Sequence, residues 1–171
     1  MKNITIGFST GHTLFARLIR MFEGNVPYSH VFIKFHSDTF ERDIIYQASG
    51  LQVNFIGAIL FATKVKIIKE FKLEVNDQAY KRIMQFAIDN AGTPYGYKQL
   101  LGMGIVRIAK LFNKTIKNPF SDGKATYVCS ELAGTVLQSF IIKHDIPLNL
   151  ETSGPKDLYK FLEKLNKNNI L

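Results

Sequence analysis

The feature that most limits the fold is a change of hydrophobic period part-way along the chain. Between about residues 30 and 75 apolar side chains recur at strand spacing, and from residue 76 onward they recur at helical spacing. The clearest strand is 30–35, where Val31, Ile33 and Phe35 alternate with His30, Phe32 and Lys34. Further strands are expected at 4–9, 43–48, 51–56 and 64–71, the last with room to run on to Val75. One helix interrupts the strands at 14–23, with Leu14, Phe15, Leu18, Ile19 and Phe22 at helical spacing, Arg17 and Arg20 on the other side, and Thr13 as a cap. Helices then follow at 78–91, capped by Asn76 or Asp77, at 100–112, from Cys129 onward, and from Gly154 to about Leu165. The basic polar segment 113–124 reads as the most mobile loop, and 166–171 as a frayed tail. No repeat or linker divides the chain, so residues 1–171 are read as one α+β domain, a small antiparallel sheet packed against helices.

Bulk properties narrow the function classes. With 46% hydrophobic residues the chain can build a sizeable core rich in its 14 phenylalanines. Twenty-two basic against 14 acidic residues give a net charge of +8, which attracts an anionic membrane, wall polymer or nucleic acid. Nucleic-acid binding rests on charge alone, because no basic helix or aromatic stacking motif accompanies it. A single cysteine excludes an internal disulfide framework and a cysteine-based zinc cage. There is no glycine-rich phosphate loop and no spaced metal-ligand cluster, so no metal or nucleotide cofactor is expected. Residues 1–7 are not followed by the apolar stretch of a signal peptide, and the longest apolar run, 55–63, is too short to span a bilayer.

The chemistry centres on Thr126-Tyr127-Val128-Cys129-Ser130-Glu131-Leu132. A short β-type approach over 125–128 leads into an apolar helical pattern at Leu132, Val136, Leu137, Phe140 and Ile141. Cys129 therefore falls at a helix N-terminus, where free backbone N–H groups and the helix dipole favour a thiolate and can hold an oxyanion. Two readings are open for it: a nucleophile, or a small buried hydrophobe. A nucleophilic cysteine needs a base, and the histidines are His12, His30, His36 and His144. His12 lies in a turn, His36 one step past a strand and His144 in a loop after the cysteine helix. His30 opens a strand whose other face is apolar, which can aim it, although a half-buried strand histidine is the competing reading. Gln47 is the polar side chain in the apolar run Ile44-Ile45-Tyr46-Gln47-Ala48. Antiparallel pairing can bring it beside His30 to orient the imidazole, or alternation can turn it outward. Glu131, in the first helical turn, reads as structural.

Together Tyr28-Ser29-His30-Val31, Ile45-Tyr46-Gln47-Ala48, Gly92-Thr93-Pro94-Tyr95-Gly96-Tyr97, Tyr127-Val128-Cys129-Ser130-Glu131-Leu132 and Ser153-Gly154-Pro155-Lys156-Asp157-Leu158 resemble the circularly permuted branch of the NlpC-type, papain-like cysteine hydrolase superfamily. That branch holds YiiX-type proteins and lecithin retinol acyltransferase-like enzymes, in which the histidine strand precedes the cysteine helix. The resemblance implies a permuted papain-like fold with Cys129 as nucleophile, His30 as base and Gln47 as third member, where relatives commonly carry His or Glu. Tyr95 matches a tyrosine that precedes the cysteine helix, where it lines the pocket, assists an oxyanion hole or serves packing, and Ser130 is the cap-like neighbour of the cysteine, placed with Tyr95 in the oxyanion region. The implied chemistry is amide or ester cleavage through a thioester acyl-enzyme, on a cell-wall peptide, a lipid ester or an isopeptide, resolved by water or by an acceptor. The rival is a non-catalytic binding module of the same fold that recognises a membrane or wall component. The resembling families occur in cells and viruses, so a cytoplasmic or virion-associated protein is expected.

Overall fold

The computed structural model describes residues 1–120, 125–141 and 148–168. The chain opens with strand β1 (Lys2–Thr10), which turns Ile4, Ile6 and Phe8 into the core at every second position. Helix α1 (Leu14–Phe22) follows, started by Thr13, whose Oγ1 accepts from Ala16 N at 3.1 Å. Gly24 and Asn25 end it with positive φ angles of 80° and 59°. Strands β2 (His30–Ser37), β3 (Arg42–Ser49) and β4 (Gln52–Gly57) then form an antiparallel meander with short connections. Helix α2 (Ala58–Lys64) carries the chain across to strand β5 (Lys66–Val75).

The helical part begins with α3 (Asp77–Asp89), capped by Asn76 Oδ1, which accepts from Ala79 N at 2.7 Å. Next come α4 (Tyr97–Leu111), α5 (Cys129–Val136), which continues as a wider π-type helix over Leu137–Ile141, and α6 (Pro155–Lys167). Among the described residues no helix is long and apolar enough to cross a membrane.

The sheet order is β4-β3-β2-β1-β5, and every neighbouring pair is antiparallel. Because β5 pairs with β1 and not with β4, the first strand lies inside the sheet and β5 forms an edge. Ile6 stands opposite both Ile33 and Phe71. Gly7 pairs with Phe32, whose ring occupies the place a Cβ would take, so only glycine fits there. On one face the core joins Ile4, Ile6, Val31, Ile33 and Tyr46 to Ala79 and Ile83 of α3, Leu132 and Val136 of α5, and Leu158 and Leu162 of α6. Each fully buried Ile, Val or Leu among them contributes roughly 1.5–3 kcal/mol of burial free energy. On the other face Phe32, Ile45 and Phe61 form a smaller cluster beneath α2.

The expected α+β order with an antiparallel sheet is present, with four local differences. The apolar run 55–63 holds α2, which the sequence did not signal; Phe61 is the side chain it buries, while Ile59 and Leu60 face outward, so no helical stripe shows. Strand β2 runs on to Ser37, which places His36 in the strand, where its Nδ1 meets Asp43 Oδ1 at 2.9 Å. In the expected strand 125–128 Tyr127 alone pairs, in parallel, with Tyr95. The loop after α4 is pinned at Asn118, which is buried and donates to Gln99 O at 2.9 Å. The end of that loop (121–124), the segment 142–147 with His144, and 169–171 of the tail lie outside the described residues.

Candidate active site

The site starts from three neighbouring strands. Gln47 and Asn54 are paired partners on β3 and β4, and Gln47 Nε2 donates to Asn54 Oδ1 at 3.4 Å. Asn54 Nδ2 donates to the carbonyls of Ser49 and Gln52 at 3.3 and 3.1 Å. Those two bonds settle which end of the Asn54 amide accepts, and so which end of Gln47 turns toward β2. It is Oε1, 2.8 Å from His30 Nε2. An amide oxygen only accepts, so His30 carries its proton on Nε2 and keeps the lone pair on Nδ1. The Asn54–Gln47–His30 chain thus sets the tautomer of the histidine. Its ring is half-buried, 6.4 Å from the ring of Phe61.

Cys129 reaches this sheet by a backbone relay. Val53 N donates to Thr93 O at 2.8 Å and Tyr95 N to Leu51 O at 2.9 Å, which hangs the segment before α4 on β4. Gly96 N then donates to Tyr127 O at 3.0 Å and Tyr127 N to Pro94 O at 3.2 Å, which fixes the approach to α5. Val128 is extended, with φ −94° and ψ 158°, and helix α5 begins at Cys129. The sulfur lies against the backbone N–H groups of Val31, Ser130 and Cys129 itself and against the Tyr95 hydroxyl. Val31 is the residue after His30, so the sulfur lies against the backbone at the start of β2, while the His30 ring, with the parity of Phe32, turns toward Gln47 and Phe61. Among the described residues no hydrogen bond joins the His30 ring to the thiol.

The electrostatics differ from the expectation of a resting thiolate. Burial pushes the Cys129 thiol up to about 11, against the three amides and the Tyr95 hydroxyl, which lower it. Cys129 is 4% exposed, and loss of water outweighs the helix N-terminus. Burial likewise lowers His30 to about 4, against its bond to Gln47, which raises it. Thiol and imidazole both rest neutral at pH 7.

The other predicted residues fall as follows. Tyr95 is buried, its hydroxyl pushed well above the ordinary range by burial and the neighbouring thiol, and its ring centroid lies 4.8 Å from that of Tyr97. Ser130 is buried and meets the sulfur through its amide. Glu131 accepts from Gln99 Nε2 at 2.9 Å, which ties α5 to α4 as a structural residue does. His12 stands exposed on the rim, and His36 bonds Asp43 far along β2. A cleft of about 750 Å³ opens onto His30, Gln47 and Tyr95, with His12, Phe15 and Lys64 around it. Asn54 and Gln99 escaped the sequence reading. The signal for Asn54 was its place in the alternation of β4, which acquires meaning only once its register with Gln47 is known.

Compared with protein families and with curated proteins, the chain matches no family model and no curated sequence.

Proposed function

We propose that this chain is a cysteine-dependent hydrolase or acyltransferase with the permuted papain-like, NlpC-type arrangement of the YiiX-type and lecithin retinol acyltransferase-like branch. The observation that carries the reading is the Asn54–Gln47–His30 chain, which leaves Nδ1 as a free base at the strand end where the Val31 N–H meets the Cys129 sulfur. The order of elements supports it too, since the histidine strand precedes the cysteine helix and α5 packs on the sheet.

In this mechanism an amide or ester carbonyl enters the cleft. His30 Nδ1 takes the thiol proton as the Cys129 sulfur bonds to the carbonyl carbon. The oxyanion is held by N–H groups at the α5 N-terminus, with the Tyr95 hydroxyl as a further donor. His30 then returns the proton to the departing amine or alcohol, which leaves a thioester on Cys129. Water or an acceptor, deprotonated by His30, attacks the thioester and restores the thiol. Gln47 Oε1 accepts the hydrogen bond from Nε2–H throughout, but without a charge it stabilises the imidazolium less than a carboxylate would. Because thiol and imidazole rest neutral, substrate entry must uncover the sulfur before the proton moves. No step calls for a metal or nucleotide. A peptidase, an amidase and a lipid-ester acyltransferase all share this chemistry.

The test is acylation by p-nitrophenyl acetate, with the acetyl group mapped by mass spectrometry. Expected is acetyl on Cys129 of the parent protein, none at that position in Cys129→Ser, and a rate about 10²-fold lower in His30→Ala. Failure of Cys129 to take up acetyl, or equal rates with and without His30, would overturn the reading. A second reading, a binding module, is favoured by one observation, the burial of the thiol at 4% exposure, and those same outcomes would support it.

A further inference from the structure

Helix α1 shows its larger apolar side chains to solvent. Ala16 and Ile19 are buried, while Leu14, Leu18 and Phe22, four residues apart, make an outward ridge together with Met21. The inner side of the helix is set by polar ties, since Arg20 donates to Thr10 Oγ1 at 2.8 Å and Glu23 pairs with Arg107 of α4 at 3.2 Å. Helix α4 does the same. Gln99, Met103 and Val106 point inward, and Leu101, Ile105, Ile108 and Phe112 recur outward at spacings of four, three and four. The exposure is large: 74% for Leu14, 64% for Leu101 and 72% for Phe112. Between the helices runs an apolar groove of about 380 Å³ lined by Phe15, Leu18, Phe22, Leu101, Ile105 and Phe120. Phe15 and Ile19 line the catalytic cleft as well, so groove and cleft adjoin.

Charge identifies what covers this face. Residues 12–22 and 97–120 contain Arg17, Arg20, Lys98, Arg107, Lys110, Lys114 and Lys117, and no acidic residue. The charges that follow are Glu23 after the first stretch, which is buried against Arg107, and Asp122 and Lys124 after the second, which cancel in formal charge. Seven of the 22 basic residues and none of the 14 acidic ones therefore lie in these two stretches, and the rest of the chain is almost neutral. Arg107 pairs inward with Glu23 and Asp157, and Arg20 bonds Thr10, but Arg17, Lys98, Lys110, Lys114 and Lys117 are exposed. Two copies of this chain meeting face to face would bring these cations together with no carboxylate to answer them. Protruding apolar tips with lysine and arginine around them are the arrangement of helices that lie in a membrane interface.

We propose that the α1–α4 face docks on an anionic phospholipid bilayer, with Leu14, Leu18, Leu101, Ile108 and Phe112 entering the headgroup boundary and the lysines on its phosphates. The mouth of the cleft then lies beside the lipid surface. The inference rests on the surface alone and holds whether or not Cys129 is a nucleophile.

The experiment is sedimentation of the full chain with vesicles of phosphatidylcholine alone and of phosphatidylcholine and phosphatidylglycerol in equal parts. Binding is expected to the anionic vesicles, weak or absent on the neutral ones, and to fall as salt is raised. Leu18→Ser with Ile108→Ser, and separately Lys110→Glu with Lys114→Glu and Lys117→Glu, are each expected to weaken it about tenfold or more. All five positions are exposed, so the variants keep the fold, which far-ultraviolet circular dichroism verifies. Lys69→Glu with Lys72→Glu, on β5, and Cys129→Ala are expected to bind as the parent does. Absence of binding to anionic vesicles, binding indifferent to the α1–α4 variants, or an equal loss in the β5 variant would overturn the proposal. A protein partner for this face would be indicated by the first of these outcomes.

Discussion

His30 is held neutral by burial, and that makes folding stability depend on pH in a definite direction. Its folded value is about 4, against 6.5 for a free histidine, so below pH 6.5 the unfolded chain takes up a proton that the folded chain refuses. The stabilisation is complete above pH 6.5 and is lost as pH falls toward 4, by about 3 kcal/mol. Urea unfolding across that range is expected to show this loss in the parent protein and a shallower one in His30→Asn. Cys129 behaves in the opposite sense: alkylation by iodoacetamide is expected to be slow at pH 7 and to climb about tenfold per pH unit toward about 11. Tyr95→Phe removes a donor that lowers the thiol, so its alkylation profile should move to still higher pH. A parent protein alkylated rapidly at pH 6 would contradict both the burial and this ordering. Cys129, His30 and Gln47 were legible in the sequence because each is a polar or reactive side chain set against an apolar pattern at an element's start or middle. Asn54 was not, because its meaning is a register and not a residue type. The neutral charge state of the pair was hidden for a related reason. A helix N-terminus can be read from sequence, but the layer of Val31, Tyr95 and β2 that dries the sulfur belongs to the folded chain.

At the scale of elements, α1, α4 and α6 are held together by one polar cluster. Arg107 reaches both Glu23 and Asp157, Lys156 N donates to Glu23 Oε2 at 3.1 Å, and Gly154 N donates to Asp157 Oδ2 at 3.1 Å. Burial raises Glu23, partly offset by Arg107 and the Lys156 amide. A Cβ on Gly154 would collide with the Glu23 carboxylate, which explains a glycine directly before the proline that opens α6. Glu23→Ala leaves Arg107 half-paired and the Lys156 amide without its acceptor. It is expected to lower stability by about 3 kcal/mol, read from the urea midpoint, and a loss below about 1 kcal/mol would show the cluster to be dispensable. The motif 153–158 was legible as a helix start, but its partners Glu23 and Arg107 stand more than a hundred and nearly fifty residues away and leave no local trace. Helix α2 was illegible for a different reason. With Phe61 buried and its neighbours exposed, its contacts come from the sheet and from tertiary packing, and propensity is overridden.

For the molecule as a whole, the switch from strand to helical period was sufficient to read the α+β class, because each period obliges one face to be buried. It could not say which way α1 and α4 turn their apolar stripes, since period specifies a face and not its partner. The sheet order carries a further consequence, in time. His30, Gln47 and Asn54 sit on three consecutive strands joined by short turns, and their contacts close small loops. Cys129 joins them across about a hundred residues, the costliest closure at the site. During synthesis the imidazole and its orienting amides leave the ribosome well before the thiol does, and in a refolding chain the sulfur stays open to water until α5 docks. Pulse alkylation of the lone cysteine therefore serves as a clock for assembly. Protection of Cys129 is expected to lag the circular dichroism signal of the sheet, and protection that precedes it would mean that the helical half nucleates folding.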